Sequence, residues 1–200
     1  FGVQEAAGKY LLFLNNDTEV IAEDSIREML SYAQRKDVGI VGARLYYPDE
    51  TVQHAGVILG LGGVAGHAFK DEPKNDSGYC DRIVCVQDCS AVTAACMLMS
   101  KELFRNVKGF DMKLKVAFND IDLCMKVRRM GLLVVYTPYA ELYHYESKSR
   151  GLDDTEEKIK QYEKESRYFI KKWKKELEEG DPYYNPNLTL EKHDFSLKIY

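Results

Sequence analysis

The sequence lacks any run approaching the roughly 18 apolar residues that a membrane-spanning helix requires, so no transmembrane helix is expected within its 200 residues. It also lacks a basic surplus: the formal net charge is -4, with Lys and Arg interspersed among Asp and Glu. A general nucleic-acid binder needs a basic face to neutralise phosphates, so no nucleic-acid partner is expected. Cysteine is sparse and odd in number. Cys80, Cys85, Cys89, Cys96 and Cys124 sit in a chain long enough to need no covalent staples, which points to a reducing, cytoplasmic setting. Cys80, Cys85 and Cys89 lack the paired C-x-x-C knuckle of a structural zinc site and read as small free residues. There is no G-x-S-x-G, no G-x-x-x-x-G-K phosphate loop, no H-E-x-x-H, no internal repeat and no low-complexity tract. Those absences remove the common hydrolase, phosphate-loop and metalloprotease mechanisms.

What is present is a globular composition, 45% apolar and 30% charged, at a length suited to one α/β unit with its own core. Phe1 to Gly8 opens without Met or a signal-like stretch and reads as a helix ending at glycine, as if cut from something longer. Tyr10 to Leu14 is a continuous apolar run suited to a strand buried on both faces. Glu23 to Arg35 carries Ile26, Met29, Leu30 and Ala33 at helical spacing, and Val38 to Leu45 reads as a second buried strand. This helix-strand-helix-strand order is the signature of an α/β sheet. Tyr46 to Gly78 is rich in glycine and reads as an excursion of loops and short strands. Arg82 to Met99 returns to strand-like sequence, and Lys101 to Val107 is a short helix followed by a turn at Gly109-Phe110-Asp111. A helix follows from Asp120 to Met130, then a strand from Leu132 to Tyr136 ahead of Pro138. From Asp153 to Glu179 the spacing predicts one amphipathic helix with Ile159, Tyr162, Phe169, Ile170, Trp173 and Leu177 on its apolar side. That side can dock on the same domain, a membrane surface or a partner subunit. Asp181 to Leu190 reads as an extended tail. The expected division is 1–150 for the main domain and 151–200 for helix and tail.

Four places could carry chemistry. Asp17 follows the first buried strand, and in open α/β sheets the crevice beyond strand carboxyl ends is where ligands bind. With Asn15 and Asn16 it offers hard oxygen donors for Mg²⁺ or Mn²⁺, although Asn-Asn-Asp-Thr also reads as a turn and helix cap. Asn119-Asp120-Ile121-Asp122 lies at a helix start, where the macrodipole complements a carboxylate. Either a general base or simple capping accounts for Asp120, and Asp122 reads as a solvated first-turn acid. His144 could complete a metal site, or pack between Tyr143 and Tyr145. Arg128 could grip phosphate oxygens or lie on an exposed helix face. His54 and His67 have weaker claims, and His193 falls in the tail.

The order and spacing of five segments resemble the large inverting glycosyltransferase family 2. They are Ala7 to Thr18, Thr93 to Met99, Gly109-Phe110-Asp111, Phe118 to Cys124, and His144, so the likeness covers about residues 1–150. The resemblance implies a GT-A fold, an α/β nucleotide-diphospho-sugar transferase architecture with a mixed sheet flanked by helices, here partial and followed by a C-terminal amphipathic helix. It implies that Asp17 binds a divalent metal bridging the donor diphosphate, joined by His144. Asn15, Asn16 and Arg128 would then lie on the donor side. Asp120 would deprotonate the acceptor hydroxyl, with Ala94, Ala95, Cys96 and Asn119 lining the acceptor pocket.

The partners implied are a nucleotide-diphospho-sugar and a glycan or lipid-linked glycan acceptor, in bacterial surface-polysaccharide synthesis. The cell-wall setting would be the cytoplasm or the inner face of the membrane, with peripheral membrane association or a homo-oligomer as further partner states. Asn15 and Asn16 replace acids common in the family's D-x-D element, and Asn119 replaces the usual acid before the base. The processive synthases' Gln-x-x-Arg-Trp motif is not seen. The family's first nucleotide-binding strands would precede Phe1, so the piece by itself is expected to be inactive. The other readings are a nucleotidyltransferase, or an inactive module that binds or scaffolds glycan.

Overall fold

The computed structural model describes residues 2–145 and 155–198. A short helix α1 (Gly2–Glu5) leads into strand β1 (Tyr10–Leu14), then β2 (Thr18–Val20), helix α2 (Ser25–Ala33) and β3 (Val38–Tyr46). The glycine-rich excursion forms three short strands, β4 (Val52–His54), β5 (Val57–Leu59) and β6 (Ala65–His67). The stretch expected to be strand-like yields only β7 (Gln87–Asp88) and β8 (Cys96–Ser100). Between them the chain crosses from one part of the sheet to another, and Ala91 bridges back to Val57. Helices α3 (Lys101–Asn106) and α4 (Asn119–Arg129) follow, then β9 (Leu133–His144).

The sheet is mixed, in the order β1-β8-β3-β9-β2. β8 is antiparallel to both β1 and β3, β3 is parallel to β9, and β2 is antiparallel to β9. The carboxyl end of β1 therefore lies beside the start of β8, with Leu14 opposite Cys96. Period-2 alternation divides the strands between two cores. Ile40, Met97, Met99, Val134 and Tyr136 face the side of α4, and Val41, Ala43, Leu98, Val135 and Leu142 face Met29 of α2.

β9 runs past Pro138, where the sequence suggested a strand end. Its register against β3 jumps from Ala43 opposite Thr137 to Arg44 opposite Glu141, so residues 138–140 bulge out. Proline, which has no N–H, falls in that bulge. Glu141 then anchors the second half, pairing with Arg44 and accepting from Tyr46 Oη at 2.7 Å.

The expected C-terminal helix is two, α5 (Glu156–Lys172) and α6 (Lys174–Glu179), broken at Trp173. Its buried stripe is narrower than expected. Phe169 and Trp173 are fully buried in the α4-side core, whereas Ile159, Tyr162 and Ile170 stay 47%, 50% and 39% exposed. The stripe instead takes in Glu165, buried because it caps backbone ahead of α4. The tail docks on the excursion rather than trailing from it. Leu59 N donates to Asp181, and Phe195 stacks on Phe69 with ring centres 4.3 Å apart. No helix among the described residues is long and apolar enough to cross a membrane. All five cysteines are free, Cys80 and Cys85 exposed and the other three buried.

Candidate active site

β1 ends at Leu14 and the chain turns through Asn15-Asn16-Asp17, with Thr18 Oγ1 donating to Asn15 O at 2.8 Å. The turn read from sequence is real, but it leads into β2 and caps no helix, and it delivers Asp17 to β9. Thr18 pairs with His144, and Tyr145 N donates to Asp17 O at 2.8 Å. The Asp17 carboxylate thereby sits 3.2 Å (Oδ1) from His144 Nε2, and the Asn15 amide donates to the same ring nitrogen at 3.0 Å. On the other side of the ring, His144 Nδ1 lies 2.6 Å from Gln53 Oε1.

Asp120 is brought to this cluster through backbone. Asn15 N donates to Ala95 O at 3.0 Å, and Ala94 N donates to Asp120 Oδ2 at 3.1 Å. Its second oxygen accepts from Ile121 N at 2.8 Å, so both oxygens are oriented by fixed donors. The Ala94-Ala95 peptide thus links the Asp17 end of the crevice to Asp120. Ahead of α4, Phe118 has φ 61°, an uncommon conformation for a bulky residue. Packing against Phe169 and Tyr162 holds it there, with ring centres 5.2 and 5.5 Å away. Glu165 of α5 accepts from the N–H groups of Lys115, Val116 and Ala117 at 3.0, 3.0 and 2.7 Å, fixing the approach to Asp120.

The remaining candidates separate. Asn119 opens α4 half-buried beside Asp120, and Asn16 is exposed at the turn. Cys96 turns into the α2-side core with Sγ 3.8 Å from Met29 Sδ, and burial pushes its thiol up to about 12. Arg128 donates to Ser90 Oγ at 3.1 Å and lies over the Tyr183 ring, on contacts separate from those of Asp17 and His144. His54 is buried with its ring 4.8 Å from that of His67; burial, then His67 and His144, hold it well below the ordinary histidine value. The residues that sequence reasoning missed are Gln53 and Glu165. A glutamine within Val-Gln-His and a glutamate on a charge-rich helix look like any others, and nothing local marks them.

The donor set suits a divalent cation. An oxygen and a nitrogen 3.2 Å apart match adjacent ligands of an octahedral ion, which at bonds of roughly 2.1 Å are about 3 Å apart. Imidazole nitrogen favours a first-row ion such as Mn²⁺ over Mg²⁺. The described residues offer no cluster of three His, Cys, Asp or Glu side chains. The other coordination positions would fall to water and to ligand oxygens.

A sequence model described as glycosyltransferase like family 2 matches residues 2–167. The chain is 50% identical over 196 residues to the uncharacterized protein y4gI of Sinorhizobium fredii, covering 98% of this chain and 22% of that protein. It is 38% identical over 204 residues to the O-antigen biosynthesis protein RfbC of Myxococcus xanthus, covering 99% of this chain and 15% of that protein. The chain therefore spans about a fifth or less of these relatives. A solved structure of GalNAc-T7 with UDP, GalNAc and Mn²⁺ superposes with a TM-score of 0.63 at 12% identity, over 88% of this chain and 34% of that one. That likeness shows the fold. With the family match over most of the chain and a mixed sheet of this topology, the chain belongs to glycosyltransferase family 2 and has the GT-A fold.

Proposed function

We propose that the protein transfers a sugar from a nucleotide-diphospho-sugar to an acceptor hydroxyl with inversion, and that this chain supplies the metal and acceptor side of the site. The observation that carries the reading is the Ala94-Ala95 bridge, which ties Asn15 to Asp120 through one backbone–backbone hydrogen bond and one from backbone to the Asp120 carboxylate. The acceptor oxygen attacks the anomeric carbon while the bond from that carbon to the diphosphate oxygen breaks, and the electron pair leaves with the nucleoside diphosphate. Asp120 accepts the hydroxyl proton, its carboxylate aimed by Ala94 N and Ile121 N. A single displacement gives inversion. Asp17 and His144 would hold Mn²⁺ or Mg²⁺, which when bound neutralises charge on the leaving diphosphate. Asn15 and Asn16 face that donor side. Arg128 reaches it in this reading only if a ligand draws its guanidinium from Ser90.

The name of the Myxococcus relative supports a role in surface-polysaccharide assembly, with a glycan or lipid-linked glycan as acceptor. We place that work in the cytoplasm at the inner membrane face. Replacing Asp120 by Asn in the full-length protein is expected to cut turnover by about 10²- to 10⁴-fold while sugar-nucleotide binding, measured by calorimetry across a donor panel, is kept. Turnover at the wild-type rate would sink the assignment of the base.

A further inference from the structure

Gln53 is 2% exposed, and both ends of its amide meet His144. Its Nε2 lies 3.3 Å from the backbone carbonyl oxygen of His144, and its Oε1 lies 2.6 Å from that residue's Nδ1. A carbonyl oxygen can only accept, so the amide end facing it must be the NH₂. The other end is then the carbonyl, which can only accept, and Nδ1 must carry a proton. In a neutral ring this leaves Nε2 with its lone pair directed toward Asp17 and Asn15. Asn15 fits this assignment, with its NH₂ 3.0 Å from Nε2. A ring nitrogen accepting at that position bears no proton.

We infer that Gln53 is a positioning residue that fixes the ring orientation and tautomer of His144, so that Nε2 is presented as a metal ligand. The inference rests on the metal role proposed above for His144. β4 supplies Gln53 from within the glycine-rich excursion, with His67 Nδ1 donating to Gln53 O at 2.8 Å to hold the strand. The excursion is thereby part of the metal site and not only a surface elaboration. Asn15 satisfies the Nε2 lone pair in the arrangement seen and must give way to a cation.

Two substitutions separate the acceptor role from simple packing. Gln53→Glu keeps an oxygen that can accept from Nδ1–H, and Gln53→Leu fills a similar volume without one. Mn²⁺ binding is measured by calorimetry with inorganic pyrophosphate as the diphosphate probe, and the His144 tautomer by ¹⁵N ring shifts. Gln53→Leu is expected to lose the Nδ1–H tautomer and weaken Mn²⁺ by about 10- to 100-fold, as loss of partners behind metal-bound histidines does. Gln53→Glu is expected to retain both tautomer and affinity. Unchanged ring shifts and affinity in Gln53→Leu would overturn the inference while leaving the metal site standing, as would equal losses in both variants. If the wild type binds Mn²⁺ no better than His144→Ala, the metal role itself falls, and this inference with it. If Gln53→Leu does not fold, Gln53→Met takes its place as the variant of similar volume without an acceptor oxygen, and the same outcomes support or overturn the inference.

Discussion

Two carboxylates two positions apart on α4 show how little of a residue's role is local. Asp120 and Asp122 look alike in sequence, but a helix turns about 200° over two residues and points them apart. Asp120 is half-buried and accepts from Ala94 N and Ile121 N. Asp122, read from sequence as a solvated acid, is fully buried, with Lys126 Nζ at 2.9 Å, Lys172 Nζ at 2.5 Å and the Trp173 indole N–H donating at 2.9 Å. The cations and the donor that make its burial tolerable come from the end of α5, from Trp173 just after it and from one turn along α4, and only the fold brings Lys172 and Trp173 near. A smaller residue matters as much. A Cβ on Gly42 would lie 2.5–2.8 Å from the side-chain carbons of Val92, just before the Thr93-Ala94-Ala95 segment. Gly42→Ala is expected to destabilise the fold by about 1–3 kcal/mol, read by denaturant titration. Unlike an ordinary surface change, it should also weaken sugar-nucleotide binding, because displaced Val92 moves the Ala94-Ala95 bridge. Wild-type stability and binding would show that Val92 yields without moving its neighbours.

The element with the most consequence for the site is α5. It was legible as a helix, with Thr155 Oγ1 capping Lys158 N at 3.3 Å, but its apolar spacing overstated what it buries. The buried stripe includes a glutamate because three N–H groups before α4 have no helix partner and need an acceptor. Burial alone would raise the Glu165 carboxyl, but the N–H groups of Ala117, Val116 and Lys115 with the Gln161 amide outweigh it and hold it below the usual glutamate value. Asp111 is likewise opposed by burial, yet Lys172, Lys113 N and Tyr168 hold it well below the usual aspartate range. A carboxyl depressed in the folded state stabilises fully above its unfolded value, about 4 for these groups. That stabilisation is lost as pH falls through the folded value. Glu165→Gln should therefore lower the thermal midpoint at pH 7, with the gap to wild type closing as the pH is taken toward 3. A gap constant with pH would mean that the charge on Glu165 contributes nothing.

At the scale of the whole molecule, α5 and the tail share their core with the sheet: Phe169, Trp173, Leu188 and Phe195 pack with Ile40, Met97 and Val134 in one cluster. Trp173 is the only tryptophan, so its fluorescence reports directly on whether α5 stays docked. Urea unfolding followed by that fluorescence and by far-ultraviolet circular dichroism is expected to give coincident single transitions. An earlier fluorescence transition would make residues 155–198 a separately melting unit. The sequence alone determined the order of elements, because hydrophobic period, glycine stops and acidic helix starts are local signals that neighbours in the chain suffice to write. It also determined which carboxylates and which histidine were candidates, through the order of Asn15-Asn16-Asp17, Asp120 and His144. Only the tertiary structure decided that β9 continues beyond Pro138, since that depends on pairing with β2 and β3 from far along the chain. It alone brought Gln53 behind His144, Glu165 beneath the approach to Asp120, and the Ala94-Ala95 peptide between the two halves of the site. Each is a hydrogen bond between residues distant in the chain, whose partner no local pattern names.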